Sequence, residues 1–213
     1  MDEVFNCIIK EMESRLTDRS VSHNINHHKR VYNNCMWLCD ELEADKEIVG
    51  AAALTHDLHR DMGDGYVKPS ESLEEVQEIL KKSGFPEEKI DEVLHCVEFH
   101  EEYNFEESNN PEESLEAMIL QDADNLDAMG AVGIARTFSF GGEQNNPMWR
   151  PENKSEEYEK QNLDEATINH IRTKLLKLKE NMNTNPAKRK AQDRHEFIEE
   201  FMERFKSEWK AEL

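Results

Sequence analysis

In the stretch LTHDLHRDMGDG, residues 54–65, His56 and Asp57 stand side by side directly after an apolar run. An ionised aspartate there is costly to desolvate and requires a positive partner. A divalent cation held between the two adjacent side chains, about 100° apart round a helix, would satisfy both. Alone the dipeptide proves little, since it occurs by chance and Asp57 can equally cap the following turn. Further potential ligands stand beside other apolar segments: His23 and His27 in SHNINHHKRV, and Asp122, Asp124 and Asp127 in QDADNLDAMG. His23 and His27 are four apart and share a face if their helix starts early enough, and Arg30, at i,i+3 from His27, would place a fixed cation beside a metal there. Asp124 and Asp127 share a helix face while Asp122 points elsewhere. Three aspartates within QDADNLDAMG, flanked by apolar residues, are poorly explained as a solvated face. Cys35 and Cys39, an i,i+4 pair, offer two thiolates, but small buried hydrophobes are the preferred reading.

The elements that must position these groups read as helices. The chain has 213 residues with only 8 Gly and 6 Pro, and 34% of it is charged. Apolar and charged residues recur at helical spacing, so the expected class is all-α, one domain over 1–213. Helices are predicted over Val4–Leu16, Ile25–Leu42, Lys46–Leu58 and Ser70–Lys81, the last closed by Ser83-Gly84. FPEEKIDEVLHCVEFH starts another, with Pro86 in its first turn. EEYNFEESNNPEES, from Glu101, reads as a solvated acidic loop, and HRDMGDGYVKPS as a loop punctuated by glycine and proline. Helix resumes near Ser114 and runs on past Gly130 and Gly133, which bend it or let it pack closely. SFGGEQNNPMWRPENK, residues 139–154, reads as a loop, either a lid over the site or inert. Two helices follow, Ile168–Asn181 and Ala187–Trp209.

Charge and cysteine content exclude several function classes. The formal charge of −21 repels polyanions at long range, so long nucleic acid is not an expected partner. A small phosphorylated substrate remains allowed, because local cations or a metal reverse the potential inside a cleft. The four cysteines form no CxxC pair or disulfide framework and are expected to be reduced. The N-terminus lacks the basic start and apolar core of a signal peptide, and nothing approaches the ~20 apolar residues of a membrane span. The expectation is a cytoplasmic, soluble monomer or homodimer.

His27 in HHKRV, His56-Asp57 in LTHDL and Asp124 in DADNLDA together resemble the H…HD…D signature of HD-domain metal-dependent phosphohydrolases. Order and spacing fit, with 29 positions from His27 to His56 and 67 from Asp57 to Asp124. The likeness runs from Ser22 to Trp209, because QDADNLDAMGAVGIARTFSFGG and the C-terminal helices resemble a bacterial and archaeal subgroup of small single-domain members. It implies a helical bundle with a metal site at its centre, a ligand-bearing core over 22–140 and C-terminal helices over 165–210 packing on it. One divalent ion (Mn, Mg, Co, Ni, Fe or Zn) would be held by His27, His56, Asp57 and Asp124, with His23 a capping or supporting residue. Some relatives carry a glutamate a few residues after HD that orients the attacking water. Here His59, Arg60 and Asp61 stand there, so Asp61 takes that role or Arg60 binds phosphate. The HD-GYP type is not matched.

A divalent ion in such a site acidifies water and polarises a phosphoryl oxygen, and phosphoryl chemistry also needs cations around the non-bridging oxygens. Arg30, Arg136, Lys174 and Arg194 are the candidates, each set against an ordinary surface salt bridge. His95 and His100, five apart, face the same cleft as proton donor or phosphate contact, or are structural. The leading expectation is a phosphohydrolase of small phosphorylated metabolites, nucleotides first among them, and within the subgroup nucleoside triphosphates cleaved to monophosphate and pyrophosphate. Nucleotide monophosphatase or alarmone hydrolase activity, or a non-catalytic metal- or nucleotide-binding HD module, are the alternatives. A di-iron oxygenase ranks last, lacking the paired Glu-x-x-His motifs.

Overall fold

The computed structural model describes residues 1–16, 24–62, 67–101, 114–150 and 166–212, and among them every regular element is helical. The helices are α1 (Asp2–Arg15), α2 (Ile25–Leu42), α3 (Lys46–Thr55), α4 (Leu73–Lys82), α5 (Ile90–Phe99), α6 (Leu115–Asp127), α7 (Gly130–Glu143), α8 (Thr167–Thr173) and α9 (Asn185–Trp209). None among the described residues is long and apolar enough to cross a membrane. The chain falls into two compact units, one holding the described residues up to Asp124 and the other those from Asn125 onward, so the division lies inside α6.

In the first unit α3 is the central element. Asp45 caps it, accepting from the Glu47 and Ile48 amides at 2.8 and 3.2 Å. Every residue from Ile48 to Thr55 is buried, and the helix packs against α1, α2 and α5. Gly50 permits the closest approach: a Cβ there would lie 3.0 Å from both the Phe5 and Tyr32 rings. α2 begins where predicted because the Asn24 side chain accepts from the Asn26 amide at 3.0 Å. α3, by contrast, stops at Thr55, short of the expected Leu58, and the chain tightens into a 3-10 turn over Leu58–Asp61. His56 Nδ1 takes one of the last carbonyls here, that of Ala53 at 2.9 Å, while Thr55 Oγ1 donates back to Ala51 O at 3.0 Å. The helix expected over Ser70–Lys81 likewise starts as a 3-10 turn, Pro69–Ser72, before α4, which ends at Lys82 and is followed by Ser83 and by Gly84 at φ 74°. After Pro86 a 3-10 turn over Glu87–Lys89 leads into α5.

The second unit packs α7 against α8 and α9, with a 3-10 turn over Leu175–Asn181 between the last two. The continuous helix expected past Gly130 is in fact broken: α6 ends at Asp127, Met129 is extended, and Gly130, at φ 69°, starts α7. The first residues of the expected 139–154 loop, as far as Glu143, belong to α7. Beyond it the chain is tied down, with the Pro147 and Met148 carbonyls accepting from the Thr167 and Ile168 amides at 3.0 Å each. Trp149 packs edge-on against Phe205 and Trp209. The helix expected over Ile168–Asn181 divides at Lys174 into α8 and the 3-10 turn, and α9 starts at Asn185, capped by Thr184. His23, residues 63–66, residues 102–113 of the acidic segment and residues 151–154 lie outside the described residues.

Candidate metal centre

Four side chains drawn from α2, the turn after α3, and α6 converge in the first unit. His27 Nε2 lies 3.2 Å from His56 Nε2 and 3.4 Å from both Asp57 Oδ2 and Asp124 Oδ1. His56 Nε2 lies 3.8 Å from Asp57 Oδ2 and 3.9 Å from Asp124 Oδ1. Neighbouring ligands around a cation with bonds of about 2.1 Å stand roughly 3.0–3.5 Å apart, so these separations are at or slightly beyond that range. His27, His56 and Asp57 are buried. With Nδ1 of His56 donating to Ala53, its Nε2 is an acceptor, facing two carboxylate oxygens that are acceptors too. Burial holds the His56 pKa well below that of an ordinary imidazole, against the pull of Asp57, so the ring is neutral as a ligand must be. The donor set fits a divalent ion: His27, His56 and Asp57 bring their ligand atoms within 4.8 Å of one another, and Asp124 stands beside both imidazoles.

A further layer holds Asp57 in place. Its Oδ1, the oxygen turned away from His27 and His56, accepts from Arg60 Nε at 2.7 Å and lies 3.6 Å from His100 Nε2. Arg60 Nη2 also donates to Glu101 Oε1, which is 3.6 Å from His59 Nε2. His59 Nδ1 donates to the His56 carbonyl at 3.2 Å and His100 Nδ1 to the Val97 carbonyl at 2.6 Å. Burial works against the charge of Glu101, but His59 and the Arg60 guanidinium overcome it and bring its pKa down to about 2. Burial likewise opposes a charge on His100, yet contact with Asp57 raises its pKa above the ordinary value.

Arg30 is half-buried on α2, three residues beyond His27. Asp61 ends the 3-10 turn, and its side chain lies outside the described set. His95 packs its ring on Phe99, with centroids 4.7 Å apart, whereas His100 joins the buried group around Asp57. In the second unit, Arg136 donates to Asp127 Oδ2 at 2.6 Å and Arg194 donates to the Leu126 carbonyl while covering Gly130. Burial lowers the Arg194 pKa. Lys174 is half-buried at the end of α8. Asp122 is fully buried. Residues not singled out from sequence are His28, whose ring lies 4.8 Å from that of His56, together with His59 and Glu101. Glu101 corrects the reading of its segment as solvated, since its side chain is 3% exposed and ion-paired to Arg60. The i,i+3 spacing of His56 and His59 was the available signal for His59. Nothing local distinguished Glu101 from the acids after it.

Residues 24–129 match the HD domain family model. The chain is 34% identical over 191 residues, 90% of its length and 86% of the other's, to the uncharacterized protein YpgQ of Bacillus subtilis strain 168. In structure it is similar to an HD-superfamily hydrolase from Bacillus thuringiensis, with a TM-score of 0.75 and 32% identity, covering 99% of this chain and 98% of that one. It is also similar to Bacillus subtilis YpgQ in complex with ADP, with a TM-score of 0.74 and 30% identity, covering 98% of this chain and 97% of that one.

Proposed function

The chain belongs to the HD-domain family, and from that premise we propose that it is a metal-dependent phosphohydrolase of nucleotides, cleaving nucleoside triphosphates to monophosphate and pyrophosphate. The observation that carries the proposal is the convergence of His27, His56, Asp57 and Asp124, with both histidine nitrogens within 3.9 Å of each other and of both carboxylates. These four would hold one divalent ion. Bound there, the ion supplies Lewis acidity, which acidifies water and withdraws charge from a phosphoryl oxygen. A nucleotide as substrate is supported by the ADP complex of the similar YpgQ.

The protein's own residues complete the reading. His56, kept neutral and oriented through Ala53, offers Nε2, and Asp57 is turned so that Oδ2 faces the histidines. Asp61, next along the turn from Arg60, is assigned to orient the attacking water. Arg30, Arg136, Lys174 and Arg194 are assigned to phosphate. His95 and His100 are assigned to proton transfer and substrate contact.

Purified protein with Mn²⁺, Mg²⁺, Co²⁺ or Ni²⁺, offered a panel of nucleoside mono-, di- and triphosphates and guanosine tetraphosphate, should release pyrophosphate from triphosphates. Asp57→Ala should abolish the release. Phosphate release from monophosphates or the alarmone alone would replace the substrate assignment, and no release with any of them would leave a non-catalytic binding module.

A further inference from the structure

Beside the proposed ligands lies a second set with the same composition. Asp57, His59, His100 and Glu101 are all buried and each brings one ligand atom within 4.8 Å of the others'. Both imidazoles are oriented for it, because Nδ1 of each is spent on a backbone carbonyl and Nε2 is turned to a carboxylate 3.6 Å away. Two histidines and two acids are the donor set of the first site as well, so composition alone does not say why one would take an ion and the other not.

Arg60 supplies the difference. Its guanidinium spans the two carboxylates, Nε on Asp57 Oδ1 at 2.7 Å and Nη2 on Glu101 Oε1. A divalent ion in this group would meet a fixed positive charge already bound to two of its four ligands, and like charges at such range repel strongly in a buried site. The guanidinium cannot deprotonate to make way. The same contact takes Asp57 Oδ1 and leaves Oδ2 for His27 and His56. Resting on the metal reading above, we infer that Arg60 is the built-in cation of the second ligand group. It is a positioning residue that limits the protein to one divalent ion and fixes which oxygen of Asp57 faces it.

The test is metal stoichiometry, independent of catalysis. Protein loaded with excess Mn²⁺ and desalted should hold one ion per chain by elemental analysis, with an isolated Mn²⁺ signal in electron paramagnetic resonance. Arg60→Ala should hold two, with a spin-coupled signal. Arg60→Met, which keeps the aliphatic stem and removes the charge, should behave alike and serves where the alanine variant does not fold. Arg60→Lys, and Arg60→Met combined with Glu101→Gln, should return to one. Two ions in the wild type, or one in a folded Arg60→Met, overturn the inference while leaving the first site standing. No ion in the wild type overturns both readings.

Discussion

Three histidines of the buried cluster are aimed by the main chain. His56, His59 and His100 each donate Nδ1 to the carbonyl three residues earlier, which fixes the tautomer and leaves Nε2 for the carboxylates. Asp57 is aimed differently, through a relay in which Glu101 holds Arg60 and Arg60 holds Oδ1. Glu101→Gln keeps the shape but removes the charge at the far end of that relay, so Asp57 loses part of its orientation. Groups that act on a metal through its ligands typically change affinity by 10–100-fold. Calorimetric titration of the apoprotein should therefore show Mn²⁺ binding about 10-fold weaker or more in Glu101→Gln. An unchanged isotherm would mean that Arg60 needs no help from Glu101.

The elements show where local sequence carries the fold and where it does not. Asn24 and Asp45 announce the starts of α2 and α3 because a capping side chain needs only amides two or three residues on. The His56-Asp57 pair and Asp124 were legible too, as polar residues at the edges of apolar runs. The end of α3 was not, since its hydrophobic pattern continues through Leu58 while the His56 side chain takes the Ala53 carbonyl and the chain tightens into the 3-10 turn. Glu101 was illegible for a related reason: what makes it buried is an arginine 41 positions away in the chain. At the α6–α7 corner the glycines are visible in the sequence, but the sharpness of the break is not. There a Cβ on Gly133 would overlap the backbone carbonyl of Ala128, which no side-chain rotation relieves. Gly133→Ala should thus cost about 1–3 kcal/mol, read as a fall of several degrees in Tm. Gly142→Ala, with nothing within 4 Å of the added carbon, is the control and should leave Tm level or slightly higher.

For the molecule as a whole, the proposed ion does more than chemistry. Its ligands come from α2, from the turn after α3 and from α6, so binding fastens three separate stretches of the first unit at one point. The folded chain alone assembles that set, and an ion present at 100 times its Kd therefore adds about 2.7 kcal/mol to stability. For a protein of this length that corresponds to a rise in Tm of roughly 5–10 °C, which a chelator should remove. Asp124→Asn separates this linkage from ordinary packing. Without metal, the wild type holds Asp57 and Asp124 around the same two imidazoles, with Arg60 on the far oxygen of Asp57, in a chain already at a formal charge of −21. Neutralising one carboxylate relieves that crowding. Scanning calorimetry with and without a chelator should show a large metal-dependent shift in the wild type and almost none in Asp124→Asn, whose chelated form melts at or above the chelated wild type. A variant that melts lower than the wild type under chelator would mean that Asp124 is held by packing and hydrogen bonds alone, rather than kept in place for an ion.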